Sequence, residues 1–213
     1  MLTVCYAAKG GSGTSVVAAA IALSGGDESI LIDVAGDAAD VLGVVATAAP
    51  GLADWFPSEV DASALDDLAV PATSRLGLIP AGGGPVTGDG ARWSELADWC
   101  ARRPGLAVVD AGTGDPSPEL CGEATAVLLV IRPCYLALRR ARQIRTAPTG
   151  VVLVSEPGRA LGSGDVASTI GAPVVARVHV DPAVARAVDA GLLAGAMPRR
   201  LARELRPAVG AWA

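Results

Sequence analysis

The feature that most restricts this chain is a series of seven short apolar runs with almost no polar alternation. They are Met1–Ala8 (body LTVCYAA), Ser29–Val34, Leu76–Pro80, Leu106–Asp110, Ala126–Ile131, Val151–Val154 and Val174–Val178. A strand with one wet face alternates apolar and polar residues, whereas a strand covered on both faces does not. Segments with helical spacing stand between the runs: Thr14–Leu23, Ala91–Arg102, Tyr135–Arg145, Pro182–Ala190 and Arg199–Leu205. Residues 43–72 are loop-rich, with turn signals at Pro50-Gly51 and Pro57-Ser58 and a short helix expected near Ala53–Trp55. Strands alternating with helices predict an α/β fold, with a mostly parallel central sheet of about seven strands and helices on both faces. Right-handed crossovers then put the ligand crevice at the carboxyl ends of the strands.

A chain of 213 residues suits one core, so residues 1–213 are expected to form a single domain. Hydrophobic residues make up 51% and aromatic residues only 3%, so Val, Leu, Ile and Ala must build that core. Trp55, Trp93 and Trp99 read as packing residues. No apolar stretch is long enough to span a bilayer, and the N-terminus has no basic leader, which together suggest a cytoplasmic protein. Cys5, Cys100, Cys121 and Cys134 lack metal-ligand spacing and read as reduced, mostly buried thiols. His179 is the single histidine, with no partner ligand nearby in sequence.

The net charge of −5 is unevenly spread. Residues 1–120 carry 16 acids and 5 bases, and residues 121–213 carry 6 acids and 12 bases. Such a split steers a partner or a second copy, unless the two halves interleave and cancel it in space.

The strongest local signal is strand, glycine loop and helix over Leu2–Leu23. Glycines allow amides to approach an anion closely, and the helix beginning at Thr14 adds its positive end. The loop itself supports two readings. As a dinucleotide fingerprint, Gly11-Ser12-Gly13 is followed by Val16 where a third glycine belongs, while Asp33 stands where a ribose-binding acid would. As a P-loop, Gly13-Thr14-Ser15 has Thr14 in place of the lysine, and Ala8 in place of the first glycine. Of 17 basic residues, Lys9 is the single lysine, and it sits at the mouth of this loop. A compact ammonium retained beside a phosphate loop favours the P-loop reading.

Lys9-Gly10-Gly11-Ser12-Gly13-Thr14-Ser15 resembles the deviant Walker A loop K-G-G-x-G-K-[ST] of the MinD/ParA ATPases, departing only at Thr14. Ile30–Asp33, Leu78–Gly82, Ala107–Asp110 with Gly112, Asp181–Val184 and Ala190-Gly191 resemble further family segments in the same order. The resemblance implies a P-loop NTPase-like fold, with ATP and Mg²⁺ as ligands. It implies that Lys9 is the signature lysine, reaching the phosphates of a partner subunit in an ATP-sandwich homodimer. Gly10, Gly11 and Gly13, with Ser12 and Thr14, would form the cradle. Ser15 and Asp110 would hold Mg²⁺, and Asp33 would sit near metal and phosphates.

The departures point away from rapid turnover. Thr14 carries no charge to neutralise β- and γ-phosphates. Ala35 stands where many relatives have a second aspartate, with Asp37 or Asp40 as substitutes. Ser155-Glu156 stand where an adenine-reading asparagine often falls. Hydrolysis is therefore expected to be slow or absent. The resemblance implies a dimerising switch or scaffold in intracellular positioning, of pilus or secretion machinery, septum, or chromosome or plasmid. It would be recruited by a protein partner to a pole, septum or membrane surface. The alternatives are a chain keeping only the fold as an interaction protein that binds no nucleotide, and a Rossmann-type dinucleotide-binding protein. Arg139, Arg140, Arg142 and Arg145, and Arg199, Arg200, Arg203 and Arg206, could contact DNA nonspecifically, but a solvated helix face is favoured. The C-terminal segment, with Leu201, Leu205 and Trp212, is expected to dock as a final helix broken at Pro207 rather than to lie on a membrane.

Overall fold

The computed structural model describes residues 1–26, 28–45 and 50–210. Eight strands form one sheet: β1 (Leu2–Ala7), β2 (Ser29–Asp33), β3 (Val70–Pro71), β4 (Leu76–Ile79), β5 (Ala107–Thr113), β6 (Ala126–Ile131), β7 (Gly150–Ser155) and β8 (Val174–His179). Their spatial order is β3-β4-β2-β5-β1-β6-β7-β8. Every pairing is parallel except β3 with β4. The seven expected strands are all present; the eighth, β3, is a two-residue edge ending in Pro71, too short for a pattern to reveal. Proline on such an edge leaves no unmet ladder donor.

The helices are α1 (Thr14–Leu23), α2 (Ala38–Leu42), α3 (Leu52–Trp55), α4 (Leu65–Leu68), α5 (Gly90–Arg102), α6 (Pro118–Glu123), α7 (Tyr135–Ala141), α8 (Ser163–Ile170), α9 (Pro182–Asp189) and α10 (Arg199–Gly210). One sheet face, with Cys5, Leu31, Val108 and Leu128, is covered by α1, α2, α9 and α10. On the other, Leu2, Val4, Ile32 and Val109 pack with α3, α5 and α6, and Tyr6, Leu129 and Leu153 pack with α7 and α8. Both faces are therefore dry, as the unbroken apolar runs require. Helix α1 is apolar almost all round because it is enclosed: Ala18, Ala19, Ala20 and Ala22 have at most 1% exposure. Alanine there lets α1 approach both the sheet and α10.

The tryptophans pack as expected, Trp55 and Trp99 buried, with Arg92 stacked 3.6 Å from the Trp55 ring and Arg103 4.5 Å from that of Trp99. Cys5 and Cys100 are buried; Cys121 and Cys134 are half-buried, and all four are free thiols.

Helix α10 runs through Pro207 to Gly210, where the sequence suggested a break. Proline inside a helix costs about 3 kcal/mol. Burial of Leu201, Leu205 and Ala208 against β8 and α1 offsets it, at about 1.5–3 kcal/mol for each leucine. Arg199, Arg203 and Arg206 lie on the wet face. The apolar face is thus already occupied, as docking requires. Trp212 lies outside the described residues. Among these, no helix is long and apolar enough to cross a membrane.

The charge halves do not interleave in the sheet. Strands drawn from residues 2–113 fill one flank, and β6, β7 and β8 fill the other. The strands of the acidic and basic halves therefore stand on opposite flanks, while α9 and α10 of the basic half pack on α2 and α1.

Candidate functional site

The central strand β1 has β5 on one side and β6 on the other, and the chain crosses over β1 between them. This reversal opens a crevice at the carboxyl ends of the strands. The loop 8–13 turns there into α1. Gly11 and Gly13 adopt φ of 76° and 90°, conformations that suit glycine. Ser12 Oγ donates to the Lys9 carbonyl at 2.7 Å and closes the loop on itself. Gly13 is the N-cap of α1 and supplies no side-chain acceptor. By contrast Asp89, Ser117 and Asp181 cap α5, α6 and α9. The first-turn amides of α1 thus face the crevice with no capping side chain, an arrangement that suits an anion.

The crevice holds about 710 Å³. Its walls are residues 10–16 of the loop and α1, Val34 and Ala35 after β2, Asp37, Asp40 and Val41 at α2, Ala111–Thr113 of β5, and Val188 of α9. Gly10 has an ordinary backbone, and a Cβ there would meet no protein atom within 4 Å. Nothing in the fold demands glycine at that position; a side chain would simply take up crevice space.

Asp110 is fully buried, directly before the wall residues Ala111–Thr113. A bulge in β5 places it: Cys5 pairs with Asp110, but Ala7 pairs with Thr113. Gly112, at φ 68°, turns the strand and donates its N–H to Asp110 Oδ1 at 3.1 Å. Asp110 Oδ2 has no hydrogen-bond partner. Burial pushes this carboxyl up to about 6, the Ser15 hydroxyl pulls it down, and Asp33, its register neighbour on β2, pushes it up again. A desolvated carboxylate oxygen without a hydrogen-bond partner, beside the Ser15 side chain, offers two of the oxygen ligands that a hard divalent cation takes, directly or through water.

The other expected site residues are placed less simply. Asp33 is buried but is not part of the crevice wall. Its Oδ1 accepts from Gly36 N at 2.7 Å and its Oδ2 from Ala38 N at 2.9 Å, so it anchors the turn into α2. Burial raises its carboxyl despite those bonds. Asp37 and Asp40 do reach the wall, whereas Ala35 offers only a methyl group. Thr14 is buried in the wall. Lys9 stands at the rim, half-buried, donating from Nζ to the Gly10 carbonyl at 3.2 Å.

An apolar pocket of about 200 Å³ continues from the crevice, sharing Gly13, Val16 and Val188. Its walls include Val154, Val178, Val184, Arg132, His179 and Asp181. Ser155 and Glu156 are not among its walls: Ser155 Oγ accepts from Arg177 at 3.0 Å, and Glu156 pairs with Arg132 at 2.8 Å and with Arg159. His179 is held by Glu204 of α10, Nδ1 to Oε1 at 2.9 Å. Sequence reasoning missed the Ala111–Thr113 bulge as crevice wall, although Gly112 two residues after Asp110 was a signal. Arg132 and Val188 carried none.

A strand–glycine loop–helix unit of this kind, at the switch point of a parallel sheet, defines a P-loop NTPase-like fold. No family model matches the sequence, and no curated protein matches it. Solved structures do match. A ParA family ATPase from Chlorobium tepidum is 22% identical, with 96% of this chain and 95% of that one covered and a TM-score of 0.77. The septum site-determining protein MinD from Pyrococcus horikoshii, complexed with Mg-ADP, is 17% identical over 100% of this chain and 98% of that one, with a TM-score of 0.74. McdA from Cyanothece, in an ATP complex, is 17% identical over 98% and 94%, with a TM-score of 0.67. The fold of this chain is that of the ParA/MinD ATPases.

Proposed function

We propose that this chain works as a ParA/MinD-type nucleotide switch or scaffold that binds Mg-ATP, closes into a homodimer and hydrolyses slowly or not at all. The observation that carries this reading is the uncapped start of α1 beside glycines 10, 11 and 13, open to a crevice, with the unpartnered Asp110 oxygen buried next to the Ala111–Thr113 wall. Phosphates would lie against the amides of residues 10–15. Ser15 and Asp110 would hold Mg²⁺, which when bound supplies charge neutralisation across the phosphates. The base would enter the valine-walled pocket beyond Gly13. The neighbouring structures were solved with Mg-ADP and with ATP, which supports the ligand class.

Slow turnover follows from charge. The crevice wall has Asp37 and Asp40 but no cation, and Thr14 replaces the usual one. Lys9, which bonds its own loop, would serve a second subunit. We assign the protein to the cytoplasm, with a protein partner in a positioning, septum, partition or secretion system. Membrane contact is secondary, because the apolar face of α10 is used internally, and DNA contact is secondary because the chain is acidic overall.

The test is calorimetry of one sample with Mg-ATP, Mg-GTP and NAD, followed by light scattering for mass. Mg-ATP should bind and raise the mass towards a dimer, with Lys9→Ala blocking the second step. Binding of NAD alone would instead favour the dinucleotide reading of the loop. No binding at millimolar nucleotide would leave a protein that uses only its fold.

A further inference from the structure

The basic flank carries a groove that the nucleotide reading does not use. It holds about 460 Å³ and is lined by Tyr135, Leu138, Arg139 and Arg142 of the α7 segment and by Leu161 and Thr169 at α8. Tyr135 is 75% exposed and its neighbour Leu136 43%, in a chain with few large apolar groups at its surface. Among the described residues, the guanidinium groups of Arg139, Arg140 and Arg142 have no ionic or hydrogen-bonding partner. The groove thus offers an apolar floor between unpaired cations.

The opposite flank carries the complement. The loop between α3 and α4 presents Glu59-Val60-Asp61, with Val60 53% exposed between two acids. The tip is preformed: the Asp61 carbonyl accepts from Trp55 Nε1 at 3.2 Å, and Asp61 Oδ1 accepts from Ser63 N at 2.8 Å. A rigid tip loses little entropy on docking.

We propose that copies of this chain associate head to tail, the Glu59-Val60-Asp61 tip of one seating in the α7–α8 groove of the next. Val60 meets Leu138 and Leu161, and the flanking carboxylates meet Arg139 and Arg142. Tip and groove belong to opposite flanks of one sheet, so a second molecule must supply the partner surface. Because the two patches differ, the contact is heterologous and propagates into an open chain rather than closing as a dimer. A nucleic-acid backbone would satisfy the arginines but leave the apolar floor empty, and the net charge of −5 repels a polyanion at long range. A second copy supplies both halves of the match.

The experiment is sedimentation velocity of the full chain without nucleotide, over a concentration series at low salt and at roughly 0.5 M salt. Mean mass should rise with concentration at low salt, and salt should suppress the rise. Arg139→Glu/Arg142→Glu, and separately Glu59→Gln/Val60→Gln, should each weaken association at least about tenfold. The second variant spares the Asp61 cap, and unchanged melting of both would show that they fold. Mixed together, the two variants should form a 1:1 complex that grows no further. The inference fails if wild type stays monomeric, if either folded variant associates like wild type, or if the mixture does not pair. It also fails if a 30-base-pair duplex is bound through Arg139 and Arg142 while no self-association occurs. Nucleotide is absent throughout, so the outcome is separate from that of the nucleotide reading.

Discussion

Asp110→Asn isolates the electrostatic cost of the site. The carboxyl rises from an ordinary value of 3.8 to about 6, chiefly because it is buried. Two units correspond to about 3 kcal/mol, at 1.36 kcal/mol per unit. The sign follows from linkage. A carboxyl raised in the folded state holds its proton more tightly there than in the unfolded chain. It therefore favours folding below about pH 4, and that advantage drains away as pH rises to about 6. Above pH 6 the wild-type fold bears the full cost of a buried anion, and the asparagine variant does not. Urea unfolding without Mg²⁺ at pH 4, 5, 6 and 7 should show the variant gaining on wild type by about 3 kcal/mol across this window, then holding level. For a chain of this length the gain corresponds to roughly 6–12 °C in melting temperature. The asparagine amide would lack an acceptor where Oδ2 had no partner, which shifts the whole curve down by about 1–3 kcal/mol without changing its shape. Millimolar Mg-ATP should stabilise wild type and leave the variant unmoved. If the two proteins keep a constant difference from pH 4 to 7, Asp110 is not held as a strained anion and the argument for a cation beside it fails.

Other substitutions probe the rest of the crevice. Thr14→Lys should tighten Mg-ATP at least about tenfold by calorimetry, the worth of one well-placed ammonium against phosphate; unchanged affinity would refute the P-loop alignment. Asp33→Ala removes the acceptor for the Gly36 and Ala38 amides and should cost about 2–4 kcal/mol in urea unfolding. Loss of phosphate release at unchanged stability would show instead that Asp33 acts in chemistry. Gly43→Ala would set a Cβ 1.7 Å from the Gly191 carbonyl oxygen, at φ 76°. It should prise α2 from α9, cost about 3 kcal/mol or more, and weaken nucleotide binding, since both helices wall the crevice.

Much of the fold was legible because burial on two faces leaves a strong trace. Runs such as Ala126–Ile131, short and rich in β-branched residues, suit interior parallel strands better than helices. The elements that escaped notice are short or balanced. Helix α8 carries Ser163, Gly164, Asp165, Ser168 and Thr169, and buries only Val166, so its apolar face was too thin to read. Helix α6 is a single capped turn and a half. The loop was legible for a different reason: glycine conformation and a lone lysine are local signals. The role of Asp33 was not, because committing both oxygens to Gly36 and Ala38 depends on how the chain bends after β2. The bulge that turns Asp110 inward likewise arises from pairing between β1 and β5, which spacing alone does not determine.

The charges around the crevice link binding to assembly. Asp37 and Asp40 are in its wall and Asp110 is buried next to it, while the one ammonium stands at the rim and bonds its own loop. A triphosphate entering one isolated subunit would bring several negative charges into a wall already negative, with amide dipoles as the only attraction from within. A helix start contributes about 0.3–1 kcal/mol towards one anionic group beside it, up to about 2 kcal/mol in partly buried geometry. That is too little to hold a nucleotide tightly against like charges. Two sources of positive charge remain: Mg²⁺ between Ser15 and Asp110, and Lys9 from a second molecule. Under the proposed function, affinity should therefore fall steeply when Mg²⁺ is removed and rise with protein concentration. Nucleotide affinity that is independent of both would mean that the phosphates find their counter-charge elsewhere on the chain.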